Sequence, residues 1–191
     1  MAALADITGI PRSSVYRLLD QLIGEGVVVL SYGRYLLSSE MLVMAELNEP
    51  DVGFRPVAER YLQALRERTG ATVTCVVAEG TRAYVMSVVP GVEKLPADLY
   101  PGRELPPGAA ASVLLAPTTI GTPGRRFVTD REDVLPGLTC YATSIVLRDR
   151  RVAALQLCTP PSAPAEHFAP LVNRVAAMIS QAMSATDGGR G

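Results

Sequence analysis

Gly9-Ile10-Pro11 separates two stretches of helical pattern, and the second of them runs directly into a stretch of β-branched residues. Glycine supplies the unusual backbone angles of a turn and proline suits the first position of the next helix. Leu4–Thr8 therefore reads as a short helix and residues 12–24 as a second one. In the second helix Val15, Leu18, Leu19, Leu22 and Ile23 fall on one face, with Ser13, Ser14, Arg17, Gln21 and Gly24 opposite. After Glu25-Gly26, Val27-Val28-Val29-Leu30 reads as a strand, Ser31–Arg34 as a turn and Tyr35-Leu36-Leu37 as the returning strand. Two helices followed by a hairpin predict a winged helix-turn-helix over residues 1–37.

Glu40–Glu46 suits a linker helix stopped at Asn48-Glu49-Pro50, so residues 38–50 are expected to connect two domains. The second domain, residues 51–185, opens on an amphipathic helix with Val57, Ala58, Tyr61, Leu62 and Leu65 on one face, ending near Gly70. Thr72–Ala78 and Arg82–Val89 predict a hairpin, and Cys140–Leu147 with Val152–Thr159 predict a second strand pair. Between them lie a Pro/Gly-rich segment, Pro90–Gly108, which also allows a short strand over Leu95–Tyr100, a small-residue helix over Ala109–Ala116, and a loop over Thr129–Asp133. Pro164–Ala185 predicts a long closing helix, and residues 186–191 a disordered tail. Strands flanked by helices predict an α+β domain with its helices on one side of an antiparallel sheet.

The chain has 191 residues, 48% of them apolar, and a mean hydropathy of +0.21, enough for a packed core. It has no run of about 18 apolar residues and no charged-then-apolar leader pattern at Met1–Asp6, so a cytoplasmic location is expected. Cys75, Cys140 and Cys158 are odd in number and widely spaced, with His167 as the single histidine, which excludes a disulfide scaffold and a zinc site. No nucleophile elbow, phosphate loop or dinucleotide glycine motif occurs, and His167 has no nucleophile beside it, so neither an enzyme nor a cofactor is expected. Net charge is −1, so any contact with nucleic acid must come from locally placed charge.

The run Leu4-Ala5-Asp6-Ile7-Thr8-Gly9-Ile10-Pro11-Arg12-Ser13-Ser14-Val15-Tyr16-Arg17-Leu18-Leu19 resembles the helix-turn-helix signature of the IclR family of transcriptional regulators. Pro136–Thr143 and Val152–Pro160 resemble two strands of that family's effector domain. The resemblance implies a second helix lying in the major groove, a wing on the DNA backbone, and a GAF-like domain that binds a small organic acid or aromatic compound. It also implies a dimer or a dimer of dimers, with no membrane partner. Family members carry a further helix ahead of the segment that begins here at Ala2. The winged helix-turn-helix is accordingly expected to lack its first helix, leaving Val15, Leu18 and Leu22 partly exposed at a cost of roughly 1.5 to 3 kcal/mol for each large side chain.

Arg12, Ser13, Ser14, Tyr16 and Arg17 stand where a recognition helix reads base edges, and Arg34 at the wing tip where a phosphate is met. The competing reading makes the serines helix caps and the arginines solvated. Residues 1–37 hold Arg12, Arg17 and Arg34 against Asp6, Asp20 and Glu25, so non-specific DNA affinity is expected to be weak. For the effector, Ala111 and Ser112 open the small-residue helix, where backbone N–H groups suit a carboxylate. The resemblance adds Asp130, Cys140, Gln156 and Cys158, of which Gln156 and Cys158 share a strand face. Both cysteines read equally well as core, and Asp130 as the cap of its loop. The short Pro117–Gly124 connection points to a pocket that is smaller than the family's, more open, or vestigial. A ligand-binding or dimerisation module that has lost autonomous DNA binding is the alternative to a complete regulator.

Overall fold

A computed structural model describes residues 2–41, 53–116, 126–147 and 152–185. The chain divides into two compact units, Met1–Val52 and Gly53–Gly191. The first contains α1 (Ala2–Thr8), α2 (Arg12–Gly24) and a hairpin of β1 (Val28–Ser31) and β2 (Arg34–Leu37). Gly9, at φ +68°, ends α1 with its N–H donating to the Ala5 carbonyl, a left-handed helix stop of the kind glycine permits. Pro11 then starts α2, its carbonyl accepting the N–H groups of Ser14 and Val15. The hairpin closes through Tyr32 and Gly33, both at positive φ, which is the type I′ turn whose twist matches that of paired strands.

The core of this unit is small. Val15, Leu19 and Val28 are buried together, with Ala5, Ile10, Val27 and Tyr35 packed around them. Of the three side chains expected to be left open, Val15 is instead covered, because it lies on the side of α2 that the hairpin meets. Leu18 and Leu22 remain 41% and 38% exposed. Residues 39–41 are helical, and the rest of the expected linker helix lies outside the described residues. So do the Pro117–Gly124 connection and the expected tail.

The second unit is built on a five-stranded, wholly antiparallel sheet in the order β4-β3-β7-β6-β5. Its strands are β3 (Thr72–Glu79), β4 (Arg82–Val89), β5 (Phe127–Arg131), β6 (Thr139–Val146) and β7 (Val152–Thr159). Against one face pack α3 (Phe54–Thr69) and α5 (Ala169–Ala185), the latter preceded by a 3-10 turn at Ala165–Phe168. Phe54, Ala58, Leu62 and Leu65 of α3 and Val172, Ile179 and Met183 of α5 are fully or almost fully buried there against Val73, Cys75, Leu155 and Leu157. At roughly 1.5 to 3 kcal/mol for each large apolar side chain, this layer holds the unit together.

The helices are not confined to one side. The opposite face carries the short α4 (Ala110–Leu115), whose Ala110, Ala111 and Leu114 meet Val76, Ala142, Ala154 and Cys158. Small residues on both surfaces let α4 lie close to the strands. Leu95–Tyr100 is not a strand; the Pro/Gly-rich segment meets β4 at an isolated bridge between Tyr84 and Glu104, and its Gly91 N–H donates to the Thr72 hydroxyl on β3. Conversely, Thr129, Asp130 and Arg131, expected in a loop, belong to the edge strand β5.

Candidate DNA-reading helix and effector-binding face

The six residues picked out for DNA fall in two groups, five on α2 and Arg34 on the wing hairpin. Arg12, Ser13 and Arg17 are exposed, Tyr16 is 48% exposed and Ser14 half-buried, while Val15 and Leu19 between and after them are buried. The N-cap is Pro11 and no side-chain hydrogen bond caps the helix, so Ser13 and Ser14 are not spent as caps. Among the described residues no ion pair engages Arg12 or Arg17. Arg34 stands at the start of β2 and is exposed, opposite Ser31. Tyr32, at the turn itself, is fully exposed and was not singled out from the sequence. The only signal for it was its place beside Gly33 in a two-residue hairpin turn.

The effector residues converge on the α4 side of the sheet. Register places Thr72, Cys158, Cys140 and Asp130 in one row across β3, β7, β6 and β5, and Thr74, Gln156, Ala142 and Val128 in the next. The Ala111 N–H donates to Gln156 Oε1 at 3.0 Å, and Gln156 Nε2 donates to Cys158 Sγ at 3.3 Å. Cys140 and Cys158 face each other with their sulfurs 2.9 Å apart. Gln156 is 2% exposed and the two cysteines 4% and 1%. The sulfur contact with Cys158, together with burial, pushes the Cys140 thiol well above its ordinary value.

Asp130 is almost buried, and its Oδ1 accepts the Asp133 N–H at 2.9 Å across the turn that follows β5. Burial raises its carboxyl above the usual range, partly offset by the backbone N–H groups it accepts. The backbone N–H offered to a carboxylate at Ala111 is thus already taken, and α4 is only six residues long.

Sequence reasoning passed over Thr72 and Thr74, which sit beside Cys158 and Gln156 on this face. Thr74 is fully buried, and its Oγ1 has no hydrogen-bond partner; the buried Ser112 Oγ, one residue beyond Ala111, has none either. Their signal was the alternation of threonines with Val73 and Cys75 along β3. A cavity of about 110 Å³ adjoins Thr72 and Cys158, and an open cleft of about 350 Å³ lies between Thr72, Val88 and the segment Pro90–Leu99. A larger cleft of about 630 Å³ between α3 and β4 touches none of the candidate effector residues. Among the described residues, no cluster of three or more His, Cys, Asp or Glu could hold a metal ion. No described helix is long and apolar enough to cross a membrane.

Residues 1–30 match the IclR helix-turn-helix domain. The full chain also superposes on solved IclR-type structures. For an IclR homologue of Microbacterium hydrocarbonoxydans in complex with 4-hydroxybenzoate the TM-score is 0.77 at 16% identity, covering 96% of this chain and 90% of that one. The chain thus carries an IclR-type helix-turn-helix at residues 1–30 and has the fold of solved IclR-type proteins. IclR of Thermotoga maritima gives a TM-score of 0.65 at 17% identity, over 97% of this chain and 89% of its own. HmgR of Pseudomonas aeruginosa gives 0.58 at 22% identity, over 100% and 90%. Comparison with curated protein sequences yields no match. The IclR family is one of transcriptional regulators rather than enzymes, and its two parts are a helix-turn-helix DNA-binding domain and an effector-binding domain.

Proposed function

We propose that this chain is a DNA-binding transcriptional regulator of the IclR family whose second unit senses a small organic acid or aromatic metabolite and modulates operator binding. The observation that carries this reading is the convergence of Ala111, Cys140, Gln156 and Cys158 on one sheet face, in the same chain as an exposed Arg12–Arg17 helix face. Arg17 supplies a fork of donors for a guanine edge, Ser13 and Ser14 short donors for phosphates or bases, and Arg34 a wing contact to phosphate. Dimerisation doubles a weak half-site contact, which the neutral local charge requires.

The test pairs a gel shift on the DNA upstream of the chain's own gene with thermal-shift titration of small organic acids and aromatics, 4-hydroxybenzoate included. Retardation that a stabilising compound alters is the expected result. Saturable stabilisation without any shift discards DNA binding and leaves a ligand-binding or dimerisation module. That second reading draws support from Leu18 and Leu22, whose exposure gives α2 an apolar flank suited to protein contact.

A further inference from the structure

Along β4 the side chains do not alternate cleanly between the two faces of the sheet. Val85 and Val88 pack with the α4 layer, while Met86 and Val89 pack with α3 and α5. Val76 stands opposite Val85 and Cys75 opposite Ser87, so Met86 is the extra residue of a β-bulge. Strict alternation from Val85 would send Ser87 to the α4 side. The bulge turns it to the α3 side instead, where its almost buried hydroxyl donates to Glu59 Oε1 at 3.3 Å. Bulges that re-aim a side chain are over-represented beside functional sites.

Glu59, held in this way, lines the cleft of about 630 Å³ between α3 and β4. That volume falls within the roughly 300 to 1,000 Å³ typical of small-ligand sites. Val57, Val88 and Val89 give the cleft an aliphatic surface, and Arg60 and Gln63 join Glu59 along α3. Among the described residues no ion pair engages Arg60. A carboxylate that accepts one hydroxyl keeps further lone pairs for a second donor, and a guanidinium offers a fork that matches a carboxylate. An acid, a base and an aliphatic wall in one cleft suit a molecule with opposite charges on a short hydrocarbon frame, since each charge then meets its counter-charge.

We propose that this cleft is a second ligand site and that it takes a small aliphatic amino acid. The ammonium group donates to Glu59, the carboxylate accepts from the Arg60 guanidinium, and the hydrocarbon side chain lies on Val57, Val88 and Val89. Gln63, one turn beyond Glu59, adds a carboxamide N–H to the carboxylate. The cleft shares no residue with the candidate effector set, so the inference stands apart from the effector reading above.

The test is calorimetric titration of the full chain with L-leucine and L-valine. Each is run beside the amine that lacks its carboxylate, isoamylamine or isobutylamine, and the acid that lacks its amino group, isocaproate or isovalerate. The expected result is saturable binding of at least one amino acid at millimolar concentration or below, with both of its analogues weaker by about ten-fold or more. Arg60→Gln and Glu59→Gln should each weaken that amino acid by about ten-fold or more. The ligand-free Tm should stay unchanged, because both positions are exposed and a glutamine carbonyl still accepts from Ser87. Absence of saturable binding by either amino acid overturns the inference. So does an analogue that binds as tightly as its parent, or binding that survives either substitution undiminished. Each of these outcomes leaves effector sensing at the α4 face untouched.

Discussion

At the scale of single residues, the three cysteines and Asp130 carry charges or lone pairs into places where water is absent. Burial pushes the Cys75 thiol up to about 12, and the Cys140 and Cys158 sulfurs are held against each other. Thiolate is the reactive form, so none of the three should alkylate in the native state. The expected mass spectrum after iodoacetamide at pH 8 shows no adduct until denaturant is added; rapid native labelling would contradict the packing. For Asp130 the sign runs the other way from a salt-bridged acid. Its folded pKa lies above the ordinary 3.8, so stability is lost as pH rises from that value through the raised one. Asp130→Asn keeps an oxygen for the Asp133 N–H, and its Tm should gain on the parent by roughly 1 to 3 °C between pH 4 and pH 7. A gap that does not change with pH would show that the carboxyl is not desolvated. Arg17 is exposed on α2, so Arg17→Ala should remove operator retardation in a gel shift with Tm and oligomeric state unchanged. Undiminished retardation would remove Arg17 from the base-reading set.

At the scale of elements, legibility followed locality. The turn at Gly9-Ile10-Pro11, the wing hairpin and the two long strand pairs announce themselves through period and punctuation within a few residues, and they stand where the sequence places them. β5 does not, because Phe127-Val128-Thr129-Asp130-Arg131 has mixed polarity and is held as a strand by its pairing with β6. Leu95–Tyr100 fails in the opposite direction: its apolar residues pack on the α4 side without a strand partner. The candidate site was half legible. Cysteine and glutamine positions followed from the resemblance, whereas Thr72 and Thr74 join them only through long-range register. A tight seam between elements yields a further prediction. A Cβ on Gly91 would lie 2.6 Å from the Thr72 nitrogen and 2.7 Å from the Gly70 carbonyl oxygen, where Val92 bonds back to the end of α3. Gly91→Ala should therefore destabilise the second unit by about 2 kcal/mol or more, measured by urea unfolding, since backbone on both sides must move. A change below roughly 0.5 kcal/mol would mean that the seam yields easily.

At the scale of the whole molecule, the two units differ sharply in how much they bury. The first rests on Val15, Leu19 and Val28, while the second has apolar layers on both faces of its sheet. Small cores leave little margin over chain entropy, so the first unit should open more often. Hydrogen exchange should release the amides of α1, α2 and the wing well before those of β3 and β7; uniform protection along the chain would show that something else covers the helix-turn-helix. The order of the sheet has a consequence for synthesis. β7 lies at its centre, flanked by β3 and β6, yet it is the last strand to be made. Until it leaves the ribosome, the β3-β4 hairpin and the β5-β6 pair each offer an unpaired inner edge. Folding of this unit must therefore wait for Val152–Thr159, and a nascent chain stalled before that strand should be the form that chaperones hold.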